Sequence, residues 1–542
     1  MADTGGMSEE LDVRGLHPRG GAETVVERYP EPHRVETLGG MVEVKWVADP
    51  EMTMSGSLIY FIEFLVKSGL WKRWVDTCPL EYRSPNAPSK EEILGTILLS
   101  VLSGHRRYAH ITGLREDRVM AGLLGVKTLR SEDSVRRAFE KVPEGKLTLW
   151  MDLNLGETFE ALLDNGWILD LDATVKTLYG SREEARLGYN PTKPGRPSHV
   201  LHALLLARAK LVLNVDVQAG NQTASAYGQE GLWGWLEARE RHQWPSLVRG
   251  DCGNGNEAMM AGCEERGLSY LFKLKLTKGV SGLIEKLSRA KDEQGWKPAG
   301  QGWEAVEHTL RLKGWSRERR VMVMRRRLER RPEPDAGTGQ MSLPGLVIET
   351  GKGEWYEHAA LVTNWEESDP LAIAQMYRDR GDAENPFDEL KNQWGWRGFS
   401  TQDLKRSQLM TRIVALAYNW WSIFTRMATG PKHGEAITTR PMLQQGVARQ
   451  TRHANQKRLT IGSAHAGARR IANLFAGFSR WLTDLIAHAE QLTAYQRWRR
   501  ISTRAIWAFR RAFRSPAEPD SWRSASARSV SAASIPIRFR TR

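Results

Sequence analysis

The chain is poor in cysteine: Cys78, Cys252 and Cys263 are the only three in 542 residues, and no two form a C-x-x-C pair. That argues against a disulfide framework or a thiolate zinc site, and it fits a reducing compartment. No apolar run is long enough to span a bilayer, and the opening MADTGGMSEELDVRG is polar and partly acidic, unlike a secretory leader. The expectation is a cytoplasmic protein with no membrane partner. Internal repeats are lacking. Acidic residues are scarce at the far end, where twelve Arg from Arg497 to Arg542 face only Glu518 and Asp520. That segment carries +10 of the total +14, leaving only +4 for the body. Overall charge is therefore a weak sign of a nucleic-acid partner, and local clusters have to carry that case.

What is present is ordinary for a soluble chain of several domains, 41% hydrophobic and 26% charged. Tryptophan stands out, with 21 Trp against 12 Tyr and 13 Phe. Residues 1–57, rich in Gly, Pro and charge, read as a loosely ordered arm. Residues 58–158 turn helical: Ser89 is a helix N-cap with Glu92 as its capping-box partner. SEDSVRRAFEKV starts a short basic helix whose Arg136 and Arg137 suit either a DNA groove or solvent. From 159 to 280 the period changes. GWILDLDATVKTLYG alternates as a strand, HVLHALLLARAKLVLNVDVQAGN adds β-like runs, and SLVRGDCG and SYLFKLKL alternate with helical segments. This is an α/β pattern. Residues 281–366 read as a β-rich basic insertion and 367–430 return to helix. Residues 431–514 read as a helical C-terminal region, and the Ser/Arg/Pro-rich 515–542 as a disordered basic tail.

The stretch MYRDRGDAENPFDELKNQWGW, residues 376–396, crowds charges of both signs. At about 100° per residue, one continuous helix would place Tyr377, Arg380, Glu384 and Lys391 within about a sixth of its circumference. Pro386 predicts a kink between Glu384 and Lys391. Upstream, Asp172 lies in the first strand and Asp251 ends a later one. Three converging carboxylates can hold two Mg²⁺ ions about 3.5–4 Å apart for in-line displacement at phosphorus. Asp170 shares a strand face with Asp172 and is its rival.

Tyr377-x2-Arg380-x3-Glu384-x6-Lys391 resembles the YREK signature of bacterial insertion-sequence transposases with a DDE triad. LDLDAT, GYNPTKPGRPSH, VRGDCGNGN and AENPFDELKNQWGWRGF are similar to blocks of that family, in its order, over roughly residues 60–500. The resemblance implies an α/β fold with a ribonuclease-H-like catalytic core, interrupted by a β-rich insertion and flanked by helical N-terminal and C-terminal regions. It implies Asp172, Asp251 and Glu384 as catalytic metal ligands for two Mg²⁺, with Mn²⁺ as a substitute. It also implies Tyr377, Arg380 and Lys391 as contacts to DNA phosphates. The implied partners are double-stranded DNA, as terminal inverted repeats and target, and a second protomer in an end-paired complex at the nucleoid. Cys252 and Asn254 stand where the family pattern has a small hydroxyl residue and an aromatic. Two rivals share the carboxylates: a nuclease without strand transfer, and a catalytically silent DNA-binding derivative. Weaker candidates are the run Arg325, Arg326, Arg327, Arg330 and Arg331 as a DNA track or a solvated face, and Trp315 or Trp355 as a stacking or core residue. His199-x-x-His202 lacks a third ligand and reads as structural.

Overall fold

A computed structural model of the chain describes residues 31–46 and 51–512, apart from 83, 165, 290–294, 331–345, 350–352, 368, 431, 455, 465–466 and 488–491. The side chains of 382–384, 494 and 505–512 are also outside the description. The basic tail 515–542 therefore lies outside the described residues, as does Arg331. Contacts divide the chain into Met1–Pro50 and Glu51–Arg542. Within the first unit, β1 (His33–Thr37) and β2 (Gly40–Val44) form an antiparallel hairpin, a correction to the loosely ordered arm. Its signal is the two-residue turn Leu38-Gly39 between alternating strands, with Gly40 at φ +109.

In the second unit, short helices from Ile59 to Gly156 come first, and the Ser89–Glu92 capping box forms at the start of helix Lys90–Leu102. β3 (Met52–Thr53) precedes them. Then come β4 (Ile168–Thr177), β5 (Ser198–Leu206), β6 (Leu211–Ala219), helix Ala224–Glu237, β7 (Leu247–Gly250), helix Glu257–Glu265 and β8 (Tyr270–Lys273). They pair in the order β6-β5-β4-β7-β8, with β4, β7 and β8 parallel and β5 and β6 antiparallel. Within HALLLARAK, a stretch whose composition suits helix as well, His202–Leu206 is strand because β5 is buried along its whole length, and 207–210 turn towards β6.

Residues 281–366 depart from the expected texture at first, since Lys278–Arg289 is helical. The strands that follow are β9 (Lys297–Gly300), β10 (Trp303–Leu310), β11 (Arg319–Leu328), β12 (Leu346–Glu349) and β13 (Trp355–Thr363). They continue the same sheet: β13 pairs with β8, and β11, β10 and β9 follow outward. Both faces of that sheet are covered. Val321 and Val323 enter the main core, while Met322 and Met324 enter a second cluster with Leu247, Leu271, Ile373 and Ala374. The second cluster places helix Pro370–Arg378 on its face.

Helix Leu404–Thr429 is buried almost all round from Arg406 to Arg426, as its apolar sequence requires. It lies against the edge strand β6 and satisfies that edge with side-chain amides. Asn419 accepts from the Val212 N–H and donates to its carbonyl, 2.9 and 2.8 Å. Gln408 does the same between Val215 and Val217. An edge closed in this way is not available to another strand. Among the described residues no helix is long and apolar enough to cross a membrane. The region read as wholly helical after 431 also contains a hairpin, β14 (Ala448–His453) and β15 (Gln456–Ile461), paired at its base with β3. Helix-like spacing on either side masked a polar segment with no apolar period of its own.

Candidate active site

Strand alternation decides which side of the sheet is polar. Leu169, Leu171 and Val248 point into the main core, so Asp170, Asp172, Arg249 and Asp251 occupy the opposite face. That is the face covered by helix Pro370–Arg378. The parallel register pairs Asp170 with Arg249 and Leu171 with Gly250. One residue beyond the paired segment, Asp172 lies midway along β4 and Asp251 just past the end of β7, on neighbouring strands about 4.8 Å apart.

The two acids of β4 have different fates. Asp170 is buried and accepts two hydrogen bonds from Arg249, 2.7 Å from Nε and 2.8 Å from Nη2. Arg249 is itself buried and donates through Nη1 to the Met376 carbonyl at 2.5 Å. Asp170 is therefore engaged on both oxygens by the Arg249 guanidinium. Asp172 lies 3.7 Å from Arg380 Nη2, which also donates to the Leu171 carbonyl at 3.4 Å. Burial pushes the Asp172 carboxyl up to about 6, Arg380 and Lys391 pull against that rise, and the Asp251 charge adds to it. Asp251 holds its turn through one oxygen: Oδ1 accepts from the Gly253 N–H at 2.9 Å and Asn254 Nδ2 at 3.0 Å. Asn254, where the family pattern has an aromatic, is thus part of the Asp251 turn. Arg380 is buried; burial works against its charge, but Tyr377, Asp172, Asp251 and Asp170 together hold it above the ordinary guanidinium value.

One continuous helix over 377–391 does not form. Helix Pro370–Arg378 ends, Asp379 and Arg380 bridge, and a new helix runs Gly381–Asn392. The break is at Asp379–Arg380, just before Gly381, a poor helix former, and the helix continues through Pro386. Pro386, Phe387 and Leu390 are buried, and Glu389 is anchored by Trp394 Nε1, the Ala436 N–H and His433 Nε2 at 3.0, 2.9 and 2.7 Å. Packing holds the helix through the missing donor. Tyr377 packs beside the second apolar cluster, with Arg380 at the junction and Lys391 half-buried on the second helix. Arg380 and Lys391 still converge on Asp172. Glu384 is on the second helix, and its side chain is outside the description.

Sequence reading missed two supporting residues. Arg249 had a signal, an Arg two positions before Asp251 on the same strand face. Lys176, four residues beyond Asp172 on one face of β4, is fully buried, and its Nζ donates to the Gly398 carbonyl at 2.6 Å. Burial pushes its pKa down to about 8. His199 and His202 bond the Glu183 and Gln222 carbonyls at 2.8 and 2.9 Å. Trp315 is buried with Arg319 over its ring. Arg136 and Arg137 both pair with Asp133. Arg325, Arg326 and Arg327 pair with Glu304, Glu357 and Glu354, and the first two also stack on aromatic rings. A face neutralised in that way is a poor phosphate track.

Two carboxylates on adjacent strands, one of them partly buried and reluctant to ionise, suit a hard divalent cation. Among the described residues no group of three metal-ligating side chains occurs; Asp172 and Asp251 fit as two donors. The strain on Asp172 has a measurable consequence. Its carboxyl binds a proton more tightly folded (about 6) than unfolded (ordinary value 3.8), so ionisation favours unfolding. That cost is absent at pH well below 3.8, grows as pH rises to about 6, and is constant above, reaching at most about 3 kcal/mol. In chelator, Asp172→Asn should raise the melting temperature at pH 8 and only about half as far at pH 5. An equal shift at both values would show that Asp172 is not strained.

No curated protein sequence matches the chain. Among solved structures, it is similar to the piggyBac transposase in a cryo-EM synaptic complex with hairpin DNA. That likeness covers 83% of this chain and 85% of the other at 11% identity, with a TM-score of 0.34. Residues 53–481, most of the chain, match the family described as transposase DDE domain group 1, and the chain accordingly belongs to the transposase DDE domain family.

Proposed function

We propose that this protein is a DNA transposase of the bacterial insertion-sequence type carrying the YREK motif. It would bind the terminal inverted repeats of its element, hydrolyse the end phosphodiester to free a 3′-OH, and join that hydroxyl to target DNA. The observation that carries this reading is the level placement of Asp172 and Asp251 beneath Arg380 and Lys391. The sheet order β6-β5-β4-β7-β8, third-second-first-fourth-fifth in chain order, supports a ribonuclease-H-like core. Asp172, Asp251 and Glu384 would hold Mg²⁺, with Mn²⁺ as a substitute. When bound, the metal supplies Lewis-acid stabilisation of the attacking and leaving oxygens.

The chain's own residues do the rest. Arg380, buried and fixed at the helix junction, presents a guanidinium suited to a phosphate oxygen. Lys391 adds a point charge on the same side, and Tyr377 flanks the guanidinium. The Arg249 clamp fixes the β4 strand end relative to Met376. Pairing of two ends by two protomers follows the same family reading. The test is to supply purified protein with the DNA flanking its gene and Mg²⁺, scoring cleavage and joining of pre-cut ends separately. Cleavage without joining would favour the nuclease, and binding with neither would favour the silent derivative. Within that assay Arg380→Ala should lose about 1.5–3 kcal/mol of barrier reduction, roughly 10- to 150-fold in rate. Arg380→Lys should be impaired as well, because an ammonium does not reproduce the fork. Lys391→Ala should be milder, since Lys391 is the smaller influence on Asp172. Wild-type rates for both Ala variants would remove the two cations from phosphate binding.

A further inference from the structure

The hairpin β14–β15 is cationic in a way the fold does not require. Between Glu435 and Asp484 the sequence has no Asp or Glu at all. Arg449, Arg452, Lys457 and Arg458 are exposed and form no ion pair with any described residue. The pairing is unfavourable on its own terms. Arg452 stands directly opposite Lys457, and like charges across a strand pair are destabilising. Only the base of the hairpin is held, through Ala448 and Arg449 against Thr53 and Met52, and by the buried Gln450. Beyond it Thr451 to Ala454 and Gln456 to Arg458 are exposed. One face carries Arg449, Thr451, His453, Gln456, Arg458 and Thr460, all polar and rich in hydrogen-bond donors. The exposed apolar side chains nearby, Met52, Met54 and Val447, lie at the base of the hairpin and not on its outer part.

We propose that this hairpin is a duplex-DNA contact surface, a two-stranded ribbon that follows a groove and sets its cations against phosphates. A strand pair about 4.8 Å apart fits a major groove about 12 Å wide. A polyanion also relieves the Arg452–Lys457 repulsion. The inference rests on the DNA-binding reading above and extends it to a sheet other than the one that carries the carboxylates. Each phosphate neutralised contributes about −0.9 to the slope of log K against log [salt], roughly eightfold in affinity at 0.1 M salt.

The test measures anisotropy of a labelled duplex and of its single strand over a salt series, using the full chain. The double variant Arg449→Gln/Arg458→Gln should flatten the duplex slope by about 1.8 and lower duplex affinity roughly 60-fold at 0.1 M salt, with an unchanged melting temperature. A second variant, Arg452→Gln/Lys457→Gln, should lower duplex affinity while raising the melting temperature in the absence of DNA. Wild-type binding with an unaltered slope and affinity in both variants would overturn the inference and leave the parent reading standing. A loss confined to single strands would overturn the duplex assignment. Failure of the wild-type chain to bind duplex at all would overturn both readings.

Discussion

Asp172→Ala, Asp251→Ala and Glu384→Ala are each expected to abolish DNA cleavage while leaving end binding intact. A loss of about 1000-fold or more corresponds to about 4 kcal/mol of barrier. The reason is a division of labour: the carboxylates would act on the reacting phosphorus through the metal, whereas phosphate contacts and groove readout hold the DNA. Asp172 is the most informative of the three, because its carboxyl is held at about 6 by burial and a cation offsets that strain. Its replacement should therefore make the metal-free protein more stable as it removes activity. A destabilised, poorly folded Asp172→Ala would point to a structural role. Normal Mg²⁺-dependent nicking by any one variant would remove that residue from the site.

The neighbouring acid should behave in the opposite way. Asp170→Ala is expected to destabilise the fold by about 3–5 kcal/mol, because it leaves the guanidinium of Arg249 buried without a counter-charge. The loss is also predicted to loosen the Arg249 hydrogen bond to the Met376 carbonyl, and with it the junction that carries Arg380. Activity would then fall through instability and misplacement, without any direct part for Asp170 in the chemistry. Urea melts of the single variant and of Asp170→Leu/Arg249→Met separate these causes. The double variant should recover most of the stability, since apolar replacement of a buried pair is often tolerated. A single-variant melt within about 1 kcal/mol of wild type would show that the pair is not a structural clamp.

The parts legible in the sequence were those with a strong local period or a fixed spacing. The β4 run Ile168–Thr177 alternates cleanly, and the Ser89–Glu92 capping box is a local signal that formed as read. The convergence of Asp172, Arg380 and Lys391 was legible too, although for a partly mistaken reason. One continuous helix would have brought the stripe together; instead two helices broken at Asp379–Arg380 do so, held by Glu389 and by burial around Pro386. Propensity marked Pro386 as the weak point, and tertiary packing overrode it. The Arg249–Asp170 clamp was hidden because register between distant strands is not visible in one chain. The continuation of the sheet through β13, β11, β10 and β9 was missed for the same reason, since a β-rich stretch says nothing about which edge it joins. The hairpin Ala448–Ile461 escaped because only Ala448 and Gln450 of it are buried, too short a stretch to show strand alternation in a run that is otherwise mostly polar and exposed.

The central claim is that Asp172, Asp251 and Glu384 surround one divalent-metal centre. It is tested most directly by loading the protein with Fe²⁺ in place of Mg²⁺, adding ascorbate and peroxide, and mapping backbone scission by mass spectrometry. The account predicts cuts clustered beside residues 172, 251 and 384 together, suppressed by excess Mg²⁺ and lost in Asp172→Asn. Scission elsewhere, or cuts beside Asp172 and Asp251 with none near Glu384, would contradict it.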